Sequence, residues 1–223
     1  MLSGLRNRNL SARLLQPADE LWDRRLGIST FGHHPGSGGP GEREWYMHYI
    51  PSPYRDIFDV LEIAGLRSDD VFTDLGCGLG RVVFAASHRG ARRAEGVELI
   101  PALARQAQDN RARTRLEGKD IAFIQGNVID HDISATTLCY MFHSFGHQIV
   151  AEVLDKARHD RRTAGARRPL RIAYVNPVCD EVIRDSGWFR RVGQLPPRTQ
   201  WLSSADHYRT TIWQSTDCSP RGG

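Results

Sequence analysis

The part of this sequence best suited to bind a ligand is a glycine-rich turn that directly follows an acidic residue. The segment Val71–Arg81 reads VFTDLGCGLGR, and its glycines occupy the alternate positions Gly76, Gly78 and Gly80. Glycines allow a chain to turn tightly from a strand into a helix, and they allow the backbone to approach a ligand closely. The free N–H groups at the start of the following helix can bind a polar group. By itself, the turn is compatible with several nucleotide ligands.

Two acidic residues narrow the choice of nucleotide. Glu98 ends the next β-prone run after the turn, where a carboxylate can accept hydrogen bonds from both hydroxyls of a ribose. Asp74 precedes the turn, and its charge would repel a pyrophosphate but can bind an ammonium group, directly or through water. The alternative for Asp74 is a carboxylate bonded to the amides of its own loop. Because dinucleotide and S-adenosylmethionine sites share the need for an acid such as Glu98, it is Asp74 that favours S-adenosylmethionine over a dinucleotide.

These residues require a parallel sheet to bring them together. Short β-prone runs alternate with helical segments, which is typical of a Rossmann-like, doubly wound α/β sheet covered by helices on both faces. We expect seven strands, starting near Val71, Ala94, Ile121, Thr137, Leu170, Trp188 and Tyr208. The last two are expected to form a terminal antiparallel hairpin. Ligands of such sheets bind beyond the carboxyl ends of the strands. The residues expected at that edge are Gly76–Gly80, Glu98, Asn127, His143 and Asn176.

The composition along the chain predicts three parts. Residues 1–48 are expected to form an N-terminal arm with a short helix from Pro17 to Leu26. The arm also contains a glycine-rich loop, Phe31–Gly41, that can act as a lid. Residues 49–217 are expected to form the α/β domain, and residues 218–223 a disordered tail.

The composition also argues against several classes of protein. The chain has 223 residues, of which 40% are hydrophobic and 25% charged, as in a single globular domain. It has neither an apolar run of about 18 residues nor the apolar core of a signal peptide, so a membrane or secreted protein is not expected. The four cysteines lack metal or disulfide spacing, which predicts a cytoplasmic protein without a metal site.

The arginines concentrate between Arg158 and Arg171, in a chain with a formal net charge of +4. We interpret this stretch as a solvated loop between a helix and a strand. A nucleic-acid patch is the alternative, but no aromatic residues alternate with the arginines to stack on bases.

The motif Asp74–Gly80, followed by Glu98 and Asn127, resembles the cofactor motifs of class I S-adenosylmethionine-dependent methyltransferases. Four segments are similar to the non-SET, seven-strand lysine methyltransferase branch, which includes the disruptor-of-telomeric-silencing-like histone enzymes and their bacterial relatives. These segments are Tyr49–Ser52, Phe72–Val83, Gly96–Leu99 and Phe142–Gly146. The resemblance implies a methyltransferase domain that uses S-adenosylmethionine.

The resemblance also implies roles for individual residues. Tyr49 and Ser52 would cover the methionine end of the cofactor, Glu98 would bind the ribose, and Asn127 the edge of the adenine. Aspartate is commoner in the family at position 127, but the amide oxygen of Asn127 can still accept a hydrogen bond from the adenine amino group. The complete set of expected cofactor-binding residues is Tyr49, Ser52, Asp74, Gly76, Cys77, Gly78, Gly80, Glu98, Leu99, Asn127 and Val128.

The residues expected at the acceptor end of the site, where the methyl group is transferred, depart from the family pattern. The branch usually has an asparagine after the fourth strand, beside the transferred methyl, whereas this chain has His143 there. A sulfonium methyl is already activated, so transfer requires mainly alignment of the nucleophile and exclusion of water. His143 can act as a base for a nucleophile that arrives protonated, or it can merely shape the pocket.

Aromatic residues are the other candidates for the acceptor end. Tyr140, Phe145, Tyr174 and Trp45 can form an aromatic wall, although core packing is an equal alternative for Tyr140 and Tyr174. The residues expected to take part in the reaction are therefore His143, Tyr140 and Tyr174.

We hypothesise that the chain methylates a small molecule on nitrogen or oxygen. One alternative is attack at the aminocarboxypropyl carbon of S-adenosylmethionine, by an acceptor or by its own amine, with release of methylthioadenosine. The other is methylation of a protein lysine or of RNA. The expected partner is thus a small-molecule acceptor, with a nucleic acid or a protein as the alternative, and the sequence leaves the oligomeric state open.

Overall fold

The computed structural model describes residues 17–31, 51–143, 145–196 and 209–216 of the chain. Most of the expected arm and lid therefore lies outside the described residues, as does the expected tail. Tyr49 and Trp45, two residues that we expected near the ligand, lie outside them as well. The helices found in the described part of the chain are too short or too polar to cross a membrane.

Seven strands form a single mixed sheet in the order β3-β2-β1-β4-β5-β7-β6. The strands are β1 (Val71–Leu75), β2 (Arg93–Glu98), β3 (Asp120–Gln125), β4 (Leu138–Phe142), β5 (Arg171–Val175), β6 (Phe189–Leu195) and β7 (Thr210–Ser215). Strands β1 to β5 run parallel, and β7 pairs antiparallel with both β5 and β6. The predicted doubly wound sheet with a terminal antiparallel hairpin is confirmed.

Helices cover both faces of the sheet. They are α1 (17–26), α2 (Tyr54–Ile63), α3 (Arg81–His88), α4 (Pro101–Arg113), α5 (His147–Thr163) and α6 (Asp180–Asp185). One buried apolar cluster joins residues of α1, α2 and α3 to one face of the sheet. A second cluster joins α5 and α6 to the opposite face. The short helix α6 was not predicted from the sequence.

Helix α1 is part of the domain core, although the sequence places it in an arm. Leu26 and Ile28 are buried in the same cluster as residues of α2 and α3. The backbone N–H of Tyr54, at the start of α2, donates to the carboxylate of Asp19 at 2.9 Å. Asp19 therefore satisfies one of the free N–H groups at the start of α2.

The arginine-rich stretch Arg158–Arg171 is not a solvated loop, because α5 continues through its first half. Arg161 is buried and donates to three backbone carbonyls. Arg168 and Arg171 both bind the fully buried carboxylate of Asp70, at 2.8 Å and 2.6 Å. A buried carboxylate needs cationic partners, so these arginines stabilise the fold.

Candidate cofactor and acceptor site

The glycine turn lies at the carboxyl end of β1, next to the point where the strand order reverses between β1 and β4. In doubly wound sheets, ligands bind at this reversal. All three glycines have positive φ angles: 83° for Gly76, 54° for Gly78 and 88° for Gly80. A Cβ atom on Gly80 would lie 2.5 Å from the ring of Phe123, so the turn excludes side chains at that position for steric reasons as well.

Glu98 is fixed at the end of β2 by two backbone amides. Its Oε2 accepts a hydrogen bond from the N–H of Gly78 at 2.8 Å, and its Oε1 accepts one from the N–H of Ile100 at 2.9 Å. The residue is only 7% exposed, so the carboxylate is held in one orientation. Each carboxylate oxygen has more than one acceptor position, which leaves capacity for a ribose hydroxyl.

Asp74 is 3% exposed, and its carboxylate forms no hydrogen bond with the described part of the chain. Burial raises the pKa of Asp74 well above its usual value, and the charge of Glu98 raises it further. The alternative that loop amides hold Asp74 is not seen among the described residues. A buried acid in this state is stabilised by a bound cation, which fits the predicted ammonium group.

Arg81 is a site residue that the sequence analysis missed. It opens α3 directly after the glycine turn and is 2% exposed. Its Nη1 donates to the carbonyl oxygen of Ser52 at 2.9 Å, and its Nε donates to the hydroxyl of Thr30 at 2.7 Å. Its Nη2 is buried and has no hydrogen-bond partner among the described residues. An arginine within the apolar run after the turn is the sequence signal that identifies it.

The unpaired Nη2 of Arg81 can donate to a carboxylate, and the unpaired carboxylate of Asp74 can bind an ammonium group. An amino acid moiety carries both groups. Asp74 and Glu98 therefore fit the ammonium group and the ribose of S-adenosylmethionine, and Arg81, which also pairs with Asp19 at 3.3 Å, is a candidate for its carboxylate.

The residues expected around the adenine lie beyond β2 and β3. The Oδ1 of Asn127 accepts a hydrogen bond from the N–H of Ile129 at 3.2 Å, which fixes the turn after β3. Val128 is buried in the core behind this turn, whereas Leu99 is 36% exposed. The Asn127 amide, after β3, and the exposed Leu99 side chain, after β2, thus lie beyond the carboxyl ends of two neighbouring strands.

Cys77 and Ser52 have structural contacts. The thiol of Cys77 is buried, and burial raises its pKa, which argues against a nucleophile. A Cβ atom on Gly96 would lie 2.6 Å from the Cys77 sulfur, so the turn packs tightly against β2. The side chain of Ser52 hydrogen-bonds with Tyr140 and thereby links the segment before α2 to β4.

Tyr140 and Tyr174 belong to opposite faces of the sheet, so the expected single aromatic wall is wrong. The register pairs Tyr140 with Ala173 and Met141 with Tyr174, and side chains alternate between faces along each strand. Tyr140 joins one apolar cluster, and burial raises its pKa. Tyr174 joins the other cluster, where its hydroxyl accepts a hydrogen bond from the N–H of Cys179 at 3.3 Å. The role of Tyr174 is therefore core packing, the alternative given in the sequence analysis.

His143 and Asn176 meet at the ends of the adjacent strands β4 and β5. The two side chains are joined at 2.8 Å between Asn176 Nδ2 and His143 Nδ1. Because Nδ2 is a donor, Nδ1 accepts, and the neutral ring of His143 carries its proton on Nε2. Both residues have left-handed backbones, with φ angles of 37° for His143 and 51° for Asn176. The sequence placed both residues at this edge but did not predict their contact.

The described residues contain no cluster of three or more histidine, cysteine, aspartate or glutamate side chains that could hold a metal ion. His147, the other histidine near the edge, pairs instead with Glu181 at 2.6 Å.

Comparison with protein families and curated proteins shows similarity to methyltransferases. Residues 51–135 match the model of the family described as histone methylation protein DOT1. A protein-lysine N-methyltransferase of Saccharolobus islandicus is 35% identical over 98 residues, covering 44% of this chain and 60% of that protein. A ribosomal protein L11 methyltransferase of Thiobacillus denitrificans is 27% identical over 142 residues, covering 58% of this chain and 45% of that protein. The chain thus spans about half the length of these relatives.

Solved structures share the fold at low sequence identity. An RNA methyltransferase from Salinibacter ruber, in complex with S-adenosyl-L-homocysteine, superposes with a TM-score of 0.50 and 21% identity, over 78% of this chain and 98% of that one. The B. subtilis tRNA methyltransferase TrmK superposes with a TM-score of 0.55 and 12% identity, over 74% of this chain and 67% of that one. The resemblance to class I methyltransferases with DOT1-like relatives is confirmed.

Proposed function

We propose that this chain, which has the class I methyltransferase fold and resembles the DOT1 family over residues 51–135, methylates protein lysines with S-adenosylmethionine. The observation that carries the proposal is the buried pair of acids, Asp74 and Glu98, on either side of the glycine turn. The names of the family and of the Saccharolobus islandicus relative favour a lysine over the small-molecule acceptor of our first hypothesis.

Four described side chains would hold the cofactor. Asp74 would bind the ammonium group, Arg81 Nη2 the carboxylate, Glu98 the ribose hydroxyls and Asn127 the adenine edge. When bound, S-adenosylmethionine supplies an activated methyl group on a sulfonium. The chain's own contribution is to orient both reactants and to exclude water, since alignment is what such a transfer requires.

The acceptor would be positioned by Asn176. Its Nδ2 is engaged by His143, so the amide plane is fixed, and its Oδ1 has no partner among the described residues. An amide oxygen can accept a hydrogen bond from the N–H of an amine, which directs the nitrogen lone pair elsewhere. A nitrogen nucleophile such as a neutral lysine amine fits this requirement.

His143 would hold Asn176 in place and would not act as a base. Its Nδ1 lone pair accepts the Asn176 hydrogen bond and its Nε2 carries the proton, so in this arrangement the ring presents no lone pair to the nucleophile. This is the pocket-shaping alternative of the sequence analysis. A cytoplasmic location is proposed as well, because Cys77, Cys139 and Cys179 are buried free thiols.

The acceptor class can be tested with methyl-deuterated S-adenosylmethionine and three acceptors: poly-L-lysine, a mixed-sequence RNA and spermidine. Mass spectrometry of the hydrolysed products should detect deuterated methyllysine with the wild-type chain and none with the double variant Asp74→Asn/Glu98→Gln.

Other products would contradict the proposal that lysine is the acceptor. Label in RNA nucleosides would support an RNA methyltransferase, and label in spermidine would restore the small-molecule hypothesis. Methylthioadenosine formed without any acceptor would indicate transfer of the aminocarboxypropyl group. S-adenosylhomocysteine binding without label in any acceptor would also overturn the proposal.

A further inference from the structure

Four arginines surround an open cleft of about 550 Å³ outside the cofactor edge. The cleft, which we call the arginine cleft, lies between the end of α1 and the end of α4 and is lined by Arg24, Arg25, Arg113, Arg115, Leu21 and Ile28. All four arginines are exposed. The surface is therefore basic around an apolar floor.

The two walls of the arginine cleft are fixed to each other by the backbone. The N–H of Arg115 and the hydroxyl of Thr114 both donate to the carbonyl oxygen of Leu26, at 2.9 Å and 2.8 Å. Gly27 closes the junction with a φ of 74°, and a Cβ atom there would lie 3.0 Å from the carbonyl oxygen of Arg113. The arginines on the two walls are thus held at a fixed separation.

The positive charge of the cleft is largely uncompensated. Glu20 contacts Arg24 at 3.9 Å, but Arg25, Arg113 and Arg115 have no carboxylate within salt-bridge distance in the described part of the chain. The buried acids Asp19 and Asp23 of the same helix face inward, toward Arg81 and Thr30.

Two of the guanidinium groups are also oriented. Arg113 donates from both Nε and Nη2 to the Oδ1 of Asn110, which leaves Nη1, and the guanidinium of Arg25 lies 5.1 Å from the centre of the Trp22 ring. These contacts leave the remaining N–H donors available. Arg113 lies in the last turn of α4, where an arginine can interact favourably with the negative end of the helix dipole. The same interaction does not account for the presence of Arg24 and Arg25, which lie on a different helix.

We propose that the arginine cleft binds the phosphodiester backbone of a nucleic acid. The guanidinium group presents paired N–H donors that match two phosphate oxygens, and all four cations of the cleft are arginines. Phosphates are polyanions at regular spacing, so four arginines on a fixed backbone, of which only Arg24 has a carboxylate partner among the described residues, suit them better than they suit an isolated carboxylate. An acidic protein segment is the competing ligand.

The cleft is connected to the cofactor edge through Asn110. Its Oδ1 accepts from the N–H of Ser29, beside the cleft, at 3.0 Å, and its Nδ2 donates to the carbonyl oxygen of Leu79, in the glycine turn, at 3.1 Å. A bound nucleic acid would therefore lie on a surface that is rigidly connected to the site of methyl transfer. The inference goes beyond the proposed function, because it holds whether the methyl acceptor is the nucleic acid itself or a protein bound to it.

The test measures fluorescence anisotropy of a labelled single-stranded RNA of about 20 nucleotides and of a DNA duplex of the same length. The variant Arg113→Gln/Arg115→Gln should bind the RNA about tenfold more weakly than wild type, and the slope of log Kd against log salt should fall by about 1.4, or about 0.7 per lost contact. The variant Arg24→Gln/Arg25→Gln, on the other wall, should show the same loss.

The matched control is Arg190→Gln/Arg191→Gln, two exposed arginines of β6 with the same change in net charge. It should leave RNA and DNA affinity within about twofold of wild type if the cleft is the binding surface. Binding of RNA, of DNA or of both through the cleft supports the proposal. An equal loss in the control variant, no nucleic-acid binding at low salt, or tighter binding of poly-L-glutamate would overturn it.

Titration with S-adenosylhomocysteine separates this inference from the proposed function. The cleft variants should bind it as wild type does, because they leave the cofactor residues intact, and this result also shows that they are folded. A chain that binds nucleic acid through the cleft but fails to bind S-adenosylhomocysteine would contradict the proposed function alone.

Discussion

The side-chain amide of Asn176 donates a hydrogen bond to Nδ1 of His143 at 2.8 Å, across the ends of two adjacent parallel strands. Both residues have left-handed backbones, a conformation that costs a residue other than glycine about 1–3 kcal/mol. Strained residues of this kind cluster at functional sites, where the surrounding structure holds them. We therefore propose that the pair marks the acceptor end of the site.

The first prediction concerns the tautomer of His143. Nitrogen NMR of the wild-type chain should show a neutral ring with the proton on Nε2, because Nδ1 accepts the hydrogen bond from Asn176. The variant Asn176→Asp replaces the donor with an acceptor and should move the proton to Nδ1. Methyl transfer should fall about tenfold in this variant, since the fixed amide oxygen is lost. A wild-type ring protonated on Nδ1 would contradict the account.

The second prediction concerns the pH dependence of cofactor binding through Asp74. Burial and the charge of Glu98 raise the pKa of Asp74, so part of the free protein carries a proton there in mildly acidic solution. An ammonium group requires the ionised form, so binding releases that proton. The affinity for S-adenosylhomocysteine should therefore rise with pH from the usual carboxyl pKa of about 3.9 up through the raised pKa of Asp74, below the titration of the ligand's own amine.

The variants that test this effect are Asp74→Asn and Glu95→Gln. Asp74→Asn should bind weakly and with no dependence on pH. Glu95 is another buried acid of the sheet, but bonds from His131 and Arg93 outweigh its burial and hold its pKa below the usual value. Glu95→Gln should therefore keep the wild-type dependence on pH. A wild-type affinity that does not change over this range would rule out the role of Asp74.

The third prediction compares two glycines that both have a positive φ. In Gly118→Ala the new Cβ meets open space, so urea unfolding should show a loss of only about 1 kcal/mol from backbone strain. In Gly80→Ala the Cβ meets the ring of Phe123 at 2.5 Å, which should add about 1–3 kcal/mol from overpacking. Equal losses in the two variants would show that the glycine turn does not pack against Phe123.

The fourth prediction concerns the buried carboxylate of Asp70. Burial acts to raise its pKa, but the hydrogen bonds from Arg171 and Thr137 outweigh this effect and lower it. Ionised Asp70 therefore stabilises the fold above its unfolded pKa of about 3.9, and this contribution is lost as the pH falls through the lower pKa of the folded state.

The variants Asp70→Asn and Asp69→Asn compare the loss of stability on removing a buried charge with that on removing an exposed charge. Asp70→Asn should lower the free energy of unfolding at neutral pH by about 3–5 kcal/mol, because it leaves the buried Arg171 without its carboxylate partner. Asp69 is mostly exposed and lies 3.4 Å from Arg168, so Asp69→Asn should cost less than about 1 kcal/mol. Similar losses in urea unfolding would show that the Asp70 contacts do not stabilise the fold.

The cofactor half of the site was predictable because its chemistry is encoded locally. Asp74, the glycines and Glu98 each stand at the end of a strand, and parallel strands bring those ends to one edge. The pairing of His143 with Asn176 depends instead on the register of β4 against β5, which neither strand's sequence specifies. The same register places Tyr140 and Tyr174 on opposite faces, contrary to our expectation.

Contacts between segments that are distant in the chain could also not be predicted from the sequence. The N–H of Tyr54 donates a hydrogen bond to Asp19, 35 positions earlier in the chain, because α1 packs into the same core as α2. The arginine cleft combines Arg24 and Arg25 with residues nearly ninety positions later. In contrast, the arginines that are dense in sequence, between Arg158 and Arg171, include the buried Arg161 and Arg171.

Calorimetric titration with S-adenosylhomocysteine tests the central claim most directly. The wild-type chain should bind one equivalent, and Glu98→Gln should weaken binding by about 2 kcal/mol, or about 30-fold, because an amide cannot accept from the Gly78 and Ile100 N–H groups and the ribose together. Glu62→Gln, an exposed residue of α2, should bind as wild type does. No measurable binding by the wild-type chain, or equal binding by the Glu98 variant, would contradict the assignment.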